Sequence, residues 1–103
     1  MRPLGNLFAD CAPPCSGERM EVLLTHRNLV VERIVSSANI TPKEYVQSQD
    51  EWVVLLTGEA SMEVAGEALA LKAGDYLFLP SGTAHTVKSA SEGALWLAVH
   101  LQV

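Results

Sequence analysis

A short apolar run between a glycine and a proline constrains the fold of this chain more than any other feature. The run covers residues 76–79, follows Gly74 and is closed by Pro80 and Gly82. It is too short for a helix and is bounded by turn formers, so it predicts a strand that ends in a tight turn. Pro80 restricts φ and Gly82 accepts a positive φ, which carries His85 onto the next strand in a fixed direction. His85 is therefore the first candidate for a functional side chain.

The rest of the chain repeats this pattern of short strands separated by turns. No segment shows the 3.6-residue period of a helix over ten residues. About eight or nine short strands predict an all-β single domain that closes its edges as a small jelly-roll barrel. The predicted strands cover residues 20–25, 29–35, 51–57, 60–65, 68–71, 76–79, 86–88 and 94–103. The predicted barrel domain is 20–103, preceded by an extended N-terminal arm at 1–19.

The arm is predicted to lack regular structure because turn-forming residues interrupt it. These residues are Pro3, Gly5, Pro13, Pro14 and Gly17. Two alternatives stay open: the arm docks on the domain or on a neighbouring subunit, or it is a frayed tail. Cys11 and Cys15 fit neither a CxxC redox pair nor a zinc knuckle, and we expect two free thiols.

Composition and charge exclude several classes of partner. The chain carries a net charge of −5, and its 7 basic residues are scattered rather than gathered in a stripe, so we expect no nucleic-acid partner. The longest apolar run, residues 52–56, is far shorter than the about 20 residues of a membrane span, and we expect no membrane contact. The N-terminus lacks the apolar core of a signal peptide, which predicts a cytoplasmic protein. A hydrophobic fraction of 49% makes self-association plausible.

The spacing around His85 carries a resemblance to a known family. Gly74, Pro80, Gly82 and His85 follow the pattern G-x5-P-x-G-x2-H, with Ser89 in a position where asparagine is usual. This pattern resembles the second of the two motifs of the cupins. The resemblance covers roughly residues 20–103 and implies a double-stranded β-helix (jelly-roll) barrel that usually dimerises, and hence a homodimer here.

The first cupin motif is matched only in its second half. Glu51 and Gly58 have the required spacing, but Tyr45 and Gln47 occupy the two histidine positions and Asn39 occupies that of the leading glycine. The sequence resembles a subgroup of small bacterial cupins in which Tyr-x-Gln, followed by Asp-Glu-Trp, replaces the histidine pair.

The resemblance implies one divalent transition metal inside the barrel, such as iron, manganese, nickel or zinc. The matched ligands are Glu51 and His85. Two ligands are fewer than metal sites normally use, so Gln47 and a residue from elsewhere are expected to complete the set. His100 is the candidate, since it joins a two-histidine, one-carboxylate set if its strand face points inward. The alternative places His100 on the surface or at the dimer interface.

Three further residues are assigned to a ligand pocket. Tyr45 can present its phenol to the barrel interior. Arg33 is either a solvated residue outside the sheet or an anion anchor inside the pocket. Trp96 lies in a strand, where it belongs to the core or forms the floor of a small-molecule pocket.

Three functions compete at this point. The first is a metal-binding cupin that handles a small polar metabolite, with Glu51 and His85 as the candidate catalytic residues. The second is a metal-free binding or sensing module, suggested by the missing histidine pair. The third is a metal-independent isomerase or lyase in which Glu51 and His85 exchange protons with the substrate.

Overall fold

The computed structural model describes residues 1–102, and the chain there folds into nine strands and no helix. The strands are β1 (Glu18–His26), β2 (Leu29–Ser36), β3 (Glu44–Tyr45), β4 (Asp50–Thr57), β5 (Glu59–Val64), β6 (Glu67–Lys72), β7 (Tyr76–Leu79), β8 (His85–Ala90) and β9 (Ala94–Leu101). The two-residue strand β3 lies in a segment that the sequence pattern left unassigned. In this part of the chain, no helix is long and apolar enough to cross a lipid bilayer.

The strands form two antiparallel sheets that enclose the core. One sheet has five strands in the order β1-β2-β9-β4-β7, and the other has four in the order β3-β8-β5-β6. Sequential neighbours are often separated in the sheets, so β9 at the end of the chain pairs with both β2 and β4. The prediction of an all-β, single-domain jelly-roll barrel is confirmed.

The interior of the barrel is apolar at one end and polar at the other, as the inward side chains of β4 show. Along β4 the inward positions are Glu51, Val53 and Leu55, because successive side chains point to opposite faces of a sheet. Leu55 is fully buried in the apolar cluster, whereas Glu51 lies at the opposite end of the strand. The apolar core cluster consists of Val53, Leu55, Ala60, Met62, Leu71, Leu79, Ala94, Trp96 and Ala98.

The N-terminal arm is docked on the β1–β2 hairpin. The Arg33 guanidinium donates to the carbonyl oxygens of Leu7 and Ala9, and it forms an ion pair with Glu21 at 2.6 Å. Arg19 donates to the carbonyl oxygens of Asp10 and Ala12. Cys11 and Cys15 are free thiols in this arm. The arm is thus held by arginine contacts to backbone carbonyls.

Gly58 and Gly66 have similar backbone angles but different surroundings, so comparing substitutions at the two positions distinguishes backbone strain from steric overlap. Gly58 and Gly66 both have positive φ, +88° and +83°. A Cβ on Gly58 would lie 2.6 Å from the Ser91 hydroxyl oxygen and 3.1 Å from the Ala94 Cα, whereas a Cβ on Gly66 would meet nothing within 4 Å.

We expect Gly66→Ala to cost about 1–2 kcal/mol of unfolding free energy, the usual price of a left-handed non-glycine residue. Gly58→Ala should cost about 1–3 kcal/mol more, because it also forces a packed neighbour to shift. Urea denaturation of both variants measures the difference. Equal losses would contradict the close approach at Gly58.

Candidate functional site

A cavity of about 210 Å³ lies between the two sheets at the polar end of the barrel. It is smaller than the clefts of about 300–1,000 Å³ that hold drug-sized ligands, so it suits a small metabolite. Its walls come from both sheets and from the segment before β4. The lining residues are Glu18, Met20, Glu32, Ile34, Tyr45, Gln47, Gln49, Glu51, Val53, Met62, Leu79, His85, Val87, Trp96 and His100.

A hydrogen-bonded turn at residues 80–83 positions His85. The Thr83 amide donates to the Pro80 carbonyl at 3.0 Å, and Gly82 takes a φ of +82°. The segment before β4 supports this turn, since the Gly82 amide donates to the Gln47 carbonyl and the Ser81 amide donates to the Asp50 carboxylate, both at 2.8 Å. The backbone before His85 is therefore held both by the turn's own hydrogen bond and by hydrogen bonds to Gln47 and Asp50.

One hydrogen bond assigns the tautomer of His85. Its Nδ1 lies 3.1 Å from the Thr83 carbonyl oxygen, which can only accept, so Nδ1 carries the proton. The lone pair on Nε2 then faces the cavity, 3.9 Å from Glu51 Oε1. His85 is thus oriented to accept a proton or to bind a metal through Nε2.

His100 approaches the same carboxylate from the neighbouring strand. Glu51 and His100 are direct partners in the β4–β9 register, and Glu51 Oε1 lies 3.9 Å from His100 Nδ1. The other ring nitrogen, Nε2, lies 3.6 Å from Glu32 Oε1 on β2. Glu51 Oε1 is therefore flanked by an imidazole nitrogen from each sheet.

Two buried polar atoms of this group lack a hydrogen-bond partner. They are Glu51 Oε1 and His100 Nδ1, on residues that are both 7% exposed. Leaving such groups unpaired costs about 1–3 kcal/mol each, so native proteins rarely do so without a functional reason. Burial raises the pKa of the Glu51 carboxyl; His100 and then His85 oppose this effect, and Glu32 adds to it.

The donor set matches the chemistry of a transition metal. Two imidazole nitrogens and one carboxylate oxygen suit iron, manganese, nickel or zinc. Their outer contacts also suit a metal, because metal-binding histidines commonly place the second nitrogen against a carbonyl or a carboxylate, as His85 does with Thr83 and His100 with Glu32.

The spacing of these donors is wider than that of ligands on one ion. Ligands about 2.0–2.2 Å from a metal lie roughly 3.0–3.4 Å apart at octahedral or tetrahedral angles, whereas both nitrogens are 3.9 Å from Glu51 Oε1. Among residues 1–102, no group of three or more His, Cys, Asp or Glu is already arranged to hold a metal ion. Binding would therefore require each nitrogen and the Glu51 oxygen to move closer together by about 0.5–0.9 Å.

The structure brings most of the predicted site residues together. Tyr45 stacks on His85 with ring centroids 6.0 Å apart, and Gln47 lies on the cavity wall. Trp96 is buried at the cavity and its Nε1 donates to the Ser36 hydroxyl at 3.0 Å. The lining thus includes Tyr45, Gln47, Glu51, His85, Trp96 and His100.

Arg33 is the predicted pocket residue that the structure does not place at this cavity. Its strand position alternates with the inward positions of Glu32 and Ile34, so its side chain lies on the outer side of the sheet. There it contacts Glu21 and the carbonyls of the arm. Its role in the structure is to hold the arm, and its assignment to the pocket is corrected accordingly.

Two acidic cavity residues were not identified from the sequence. Glu32 contacts His100, and the Glu18 carboxylate accepts a hydrogen bond from the Ser36 hydroxyl at 2.8 Å. Strand alternation does place Glu32 on the face opposite Arg33, which is a local signal. Glu18 falls within the predicted arm, and the strand that brings it to the cavity begins there.

Comparison with protein families matches residues 31–100 to the cupin domain, and this chain therefore belongs to the cupins. A search of curated proteins finds no match. Among solved structures, a candidate mannose-6-phosphate isomerase from Ralstonia eutropha JMP134 is 33% identical, with a TM-score of 0.84 over 96% of this chain and 97% of that one.

More distant structures share the fold. An RmlC-like cupin from Shewanella frigidimarina NCIMB 400 is 17% identical, with a TM-score of 0.77 over 89% of this chain and 82% of that one. KdgF from Halomonas sp. is 16% identical, with a TM-score of 0.78 over 84% of this chain and 80% of that one. At these identities the likeness concerns the barrel.

The raised pKa of Glu51 predicts how stability depends on pH. The folded state holds the Glu51 proton more tightly than the unfolded state does. Ionisation of Glu51 therefore lowers the free energy of unfolding, and the loss is largest at a pH above the folded pKa. Glu51→Gln should therefore stabilise the metal-free protein at neutral pH, and the gain should vanish as acid protonates Glu51 in both states.

Urea denaturation in the presence of a chelator, repeated from neutral to acidic pH, measures the difference in unfolding free energy between Glu51→Gln and the wild type. The exposed carboxylate of Glu67 supplies the control, and Glu67→Gln should show no such trend. A Glu51→Gln variant that is less stable than the wild type at neutral pH would contradict the unpaired state of this carboxylate.

Proposed function

We propose that this cupin binds one divalent transition metal in its cavity and uses the site to handle a small polar metabolite. The observation that carries the proposal is the convergence of His85 Nε2 and the unpaired His100 Nδ1 on the unpaired Glu51 Oε1. Glu51, His85 and His100 would hold the ion. Gln47, on the cavity wall, would add a neutral oxygen ligand.

The chain's own residues have defined tasks at such a site. A bound metal supplies a Lewis acid that polarises an oxygen of the ligand. The Thr83 carbonyl keeps the proton on His85 Nδ1, and Glu32 faces the outer nitrogen of His100. Apolar residues form part of the cavity lining, and the cavity volume limits the size of the ligand.

The isomerase name carried by the Ralstonia eutropha protein suggests an enzyme class for this chain. An isomerase that interconverts an aldose and a ketose moves a proton between neighbouring carbon atoms, which requires an acid and a base on the reacting ligand. Without a bound ion, Glu51 and His85, which lie together on the cavity wall, could serve as that pair. The relatedness of the two chains and this pair of groups support the assignment.

A second candidate function uses the same residues without an ion. Glu51 Oε1 lies 3.9 Å from an imidazole nitrogen on either side, a separation that leaves room for a ligand group but is too long for direct hydrogen bonds. This geometry would allow a metal-independent isomerase or lyase in which Glu51 and His85 exchange protons with the ligand. A metal-free binding or sensing module would use the same cavity for recognition alone.

The homodimer and the cytoplasmic location stay predictions. The surface that we expect a second copy to cover is the outer side of β4 and β7, where Trp52, Tyr76 and Phe78 are exposed by 36%, 66% and 60%. Trp52 and Tyr76 already pack on each other, with ring centroids 5.6 Å apart. Exposed aromatic clusters of this kind commonly mark protein interfaces, and sedimentation equilibrium would measure the assembly.

The metal proposal predicts near-stoichiometric metal in untagged protein purified without chelators. His85→Ala and His100→Ala should each remove most of the metal, because two remaining donors hold an ion weakly. His26→Ala is the matched control, since His26 is exposed at the end of β1. Elemental analysis of the four proteins makes the measurement.

Wild-type protein that stays empty after incubation with zinc, iron, manganese and nickel would overturn the metal proposal. Metal that is retained in both cavity variants but lost with His26 would overturn it as well.

A further inference from the structure

The cavity is acidic and lacks a basic anchor for an anion. Its lining includes Glu18, Glu32 and Glu51, and no lysine or arginine of residues 1–102 lines it. Lys43 lies outside this lining, with its Nζ 5.3 Å from the centre of the Tyr45 ring. A phosphate group placed here would face carboxylates without the guanidinium or ammonium donors that phosphate sites use.

Unpaired atoms distinguish this cavity from a chance cluster of acidic residues. Glu51 Oε1 and His100 Nδ1 are buried without a hydrogen-bond partner, on side chains that are each 8% exposed. Both point toward the group formed with His85. The cavity thus contains buried polar atoms without hydrogen-bond partners, as expected at a ligand site.

The three carboxyl groups differ in the imidazole nitrogens that lie near them. Glu51 has His85 and His100 nearby, and Glu32 has His100. Glu18 forms no ion pair within the described residues, and its carboxylate accepts only the hydroxyl hydrogen bond of Ser36. Glu18 is therefore the cavity carboxylate without an ion pair among residues 1–102; Lys43 lines an adjoining recess together with Glu18 but forms no ion pair with it.

Aromatic side chains stand beside Glu18. The Ser36 hydroxyl accepts a hydrogen bond from Trp96 Nε1 at 3.0 Å and donates one to the Glu18 carboxylate at 2.8 Å. The indole and the carboxylate are therefore both hydrogen-bonded to the same hydroxyl. Tyr45 lines the same cavity. A carboxylate on the wall of a small cavity attracts an ammonium group through charge and a charge-assisted hydrogen bond.

We propose that the ligand of this cavity is a small amine, bound as a cation with its ammonium group at Glu18. The proposal rests on the proposed function only in taking this cavity as the ligand site. It separates this chain from the phosphorylated sugar in the name of the Ralstonia eutropha protein. The cavity volume of about 210 Å³ limits the ligand to a compact molecule.

Three probes with one carbon skeleton test the sign of the preferred charge. They are 3-amino-1,2-propanediol, glycerol and glycerol 3-phosphate, which are cationic, neutral and anionic. Calorimetric titration should show the amine binding at least about tenfold more tightly than glycerol, since a charge-assisted hydrogen bond contributes about 1.5–3 kcal/mol. Glycerol 3-phosphate should bind more weakly than glycerol.

Glu18→Gln tests the assigned contact. It should reduce the affinity for the amine about tenfold and leave that for glycerol unchanged. Glu67→Gln, which replaces an exposed carboxylate away from the cavity, should change neither. Binding of glycerol 3-phosphate above the amine, equal binding of the amine and glycerol, no detectable amine binding, or an unchanged Glu18→Gln variant would each overturn the proposal.

Titrations of metal-loaded and chelator-treated protein separate this proposal from the metal proposal. Preference for the amine in protein that takes up no metal would refute the metal site and support the ligand class. A protein that holds metal at Glu51 but prefers glycerol 3-phosphate would refute the ligand class and leave the metal site standing.

Discussion

The pairing of Glu51 with His100 across β4 and β9 is the interaction on which the rest of the site depends. The two residues are direct register partners, and alternation turns both inward at the same level of the barrel. The same alternation places Leu55 in the apolar core at the other end. The strands that stabilise the barrel therefore also deliver a carboxylate and an imidazole to its cavity. A one-residue slip of either strand would separate them.

His85 reaches this pair from the opposite sheet, and only the packing of the two sheets brings it there. Burial removes water from Glu51 and raises the pKa of its carboxyl, while two imidazoles stand 3.9 Å away without closing hydrogen bonds to it. Such an arrangement costs folding free energy. A core built for stability alone would fill this position with an apolar side chain, so the cost points to a ligand, an ion or a transferable proton.

Much of the fold could be predicted because its signals are local. Turn residues delimit the strands, and the Pro80–Gly82 pattern identifies the turn before His85 without any knowledge of distant contacts. The facing of His100 follows from its alternation with Trp96, but its distance from Glu51 depends on strand register. Register between β4 and β9 joins parts of the chain that lie far apart in sequence, and no single-sequence pattern encodes it.

The same limit explains what the sequence did not reveal. Glu32 becomes a site residue only because β2 pairs with β9, and Glu18 only because β1 begins before the apolar pattern does. From the sequence, Arg33 was either a solvated residue outside the sheet or an anion anchor inside the pocket. Its partners are Glu21 and the backbone carbonyls of an arm that no periodic pattern could place.

Nitrogen NMR of the imidazole rings tests the central claim most directly, because the chain contains only 3 histidines. In metal-free protein, His85 should carry its proton on Nδ1 and present an unprotonated Nε2. Adding zinc should then shift His85 Nε2 and His100 Nδ1 together and leave His26 unchanged. A His85 protonated on Nε2 in the metal-free protein, or a zinc response confined to one cavity histidine, would contradict convergence of these atoms on Glu51.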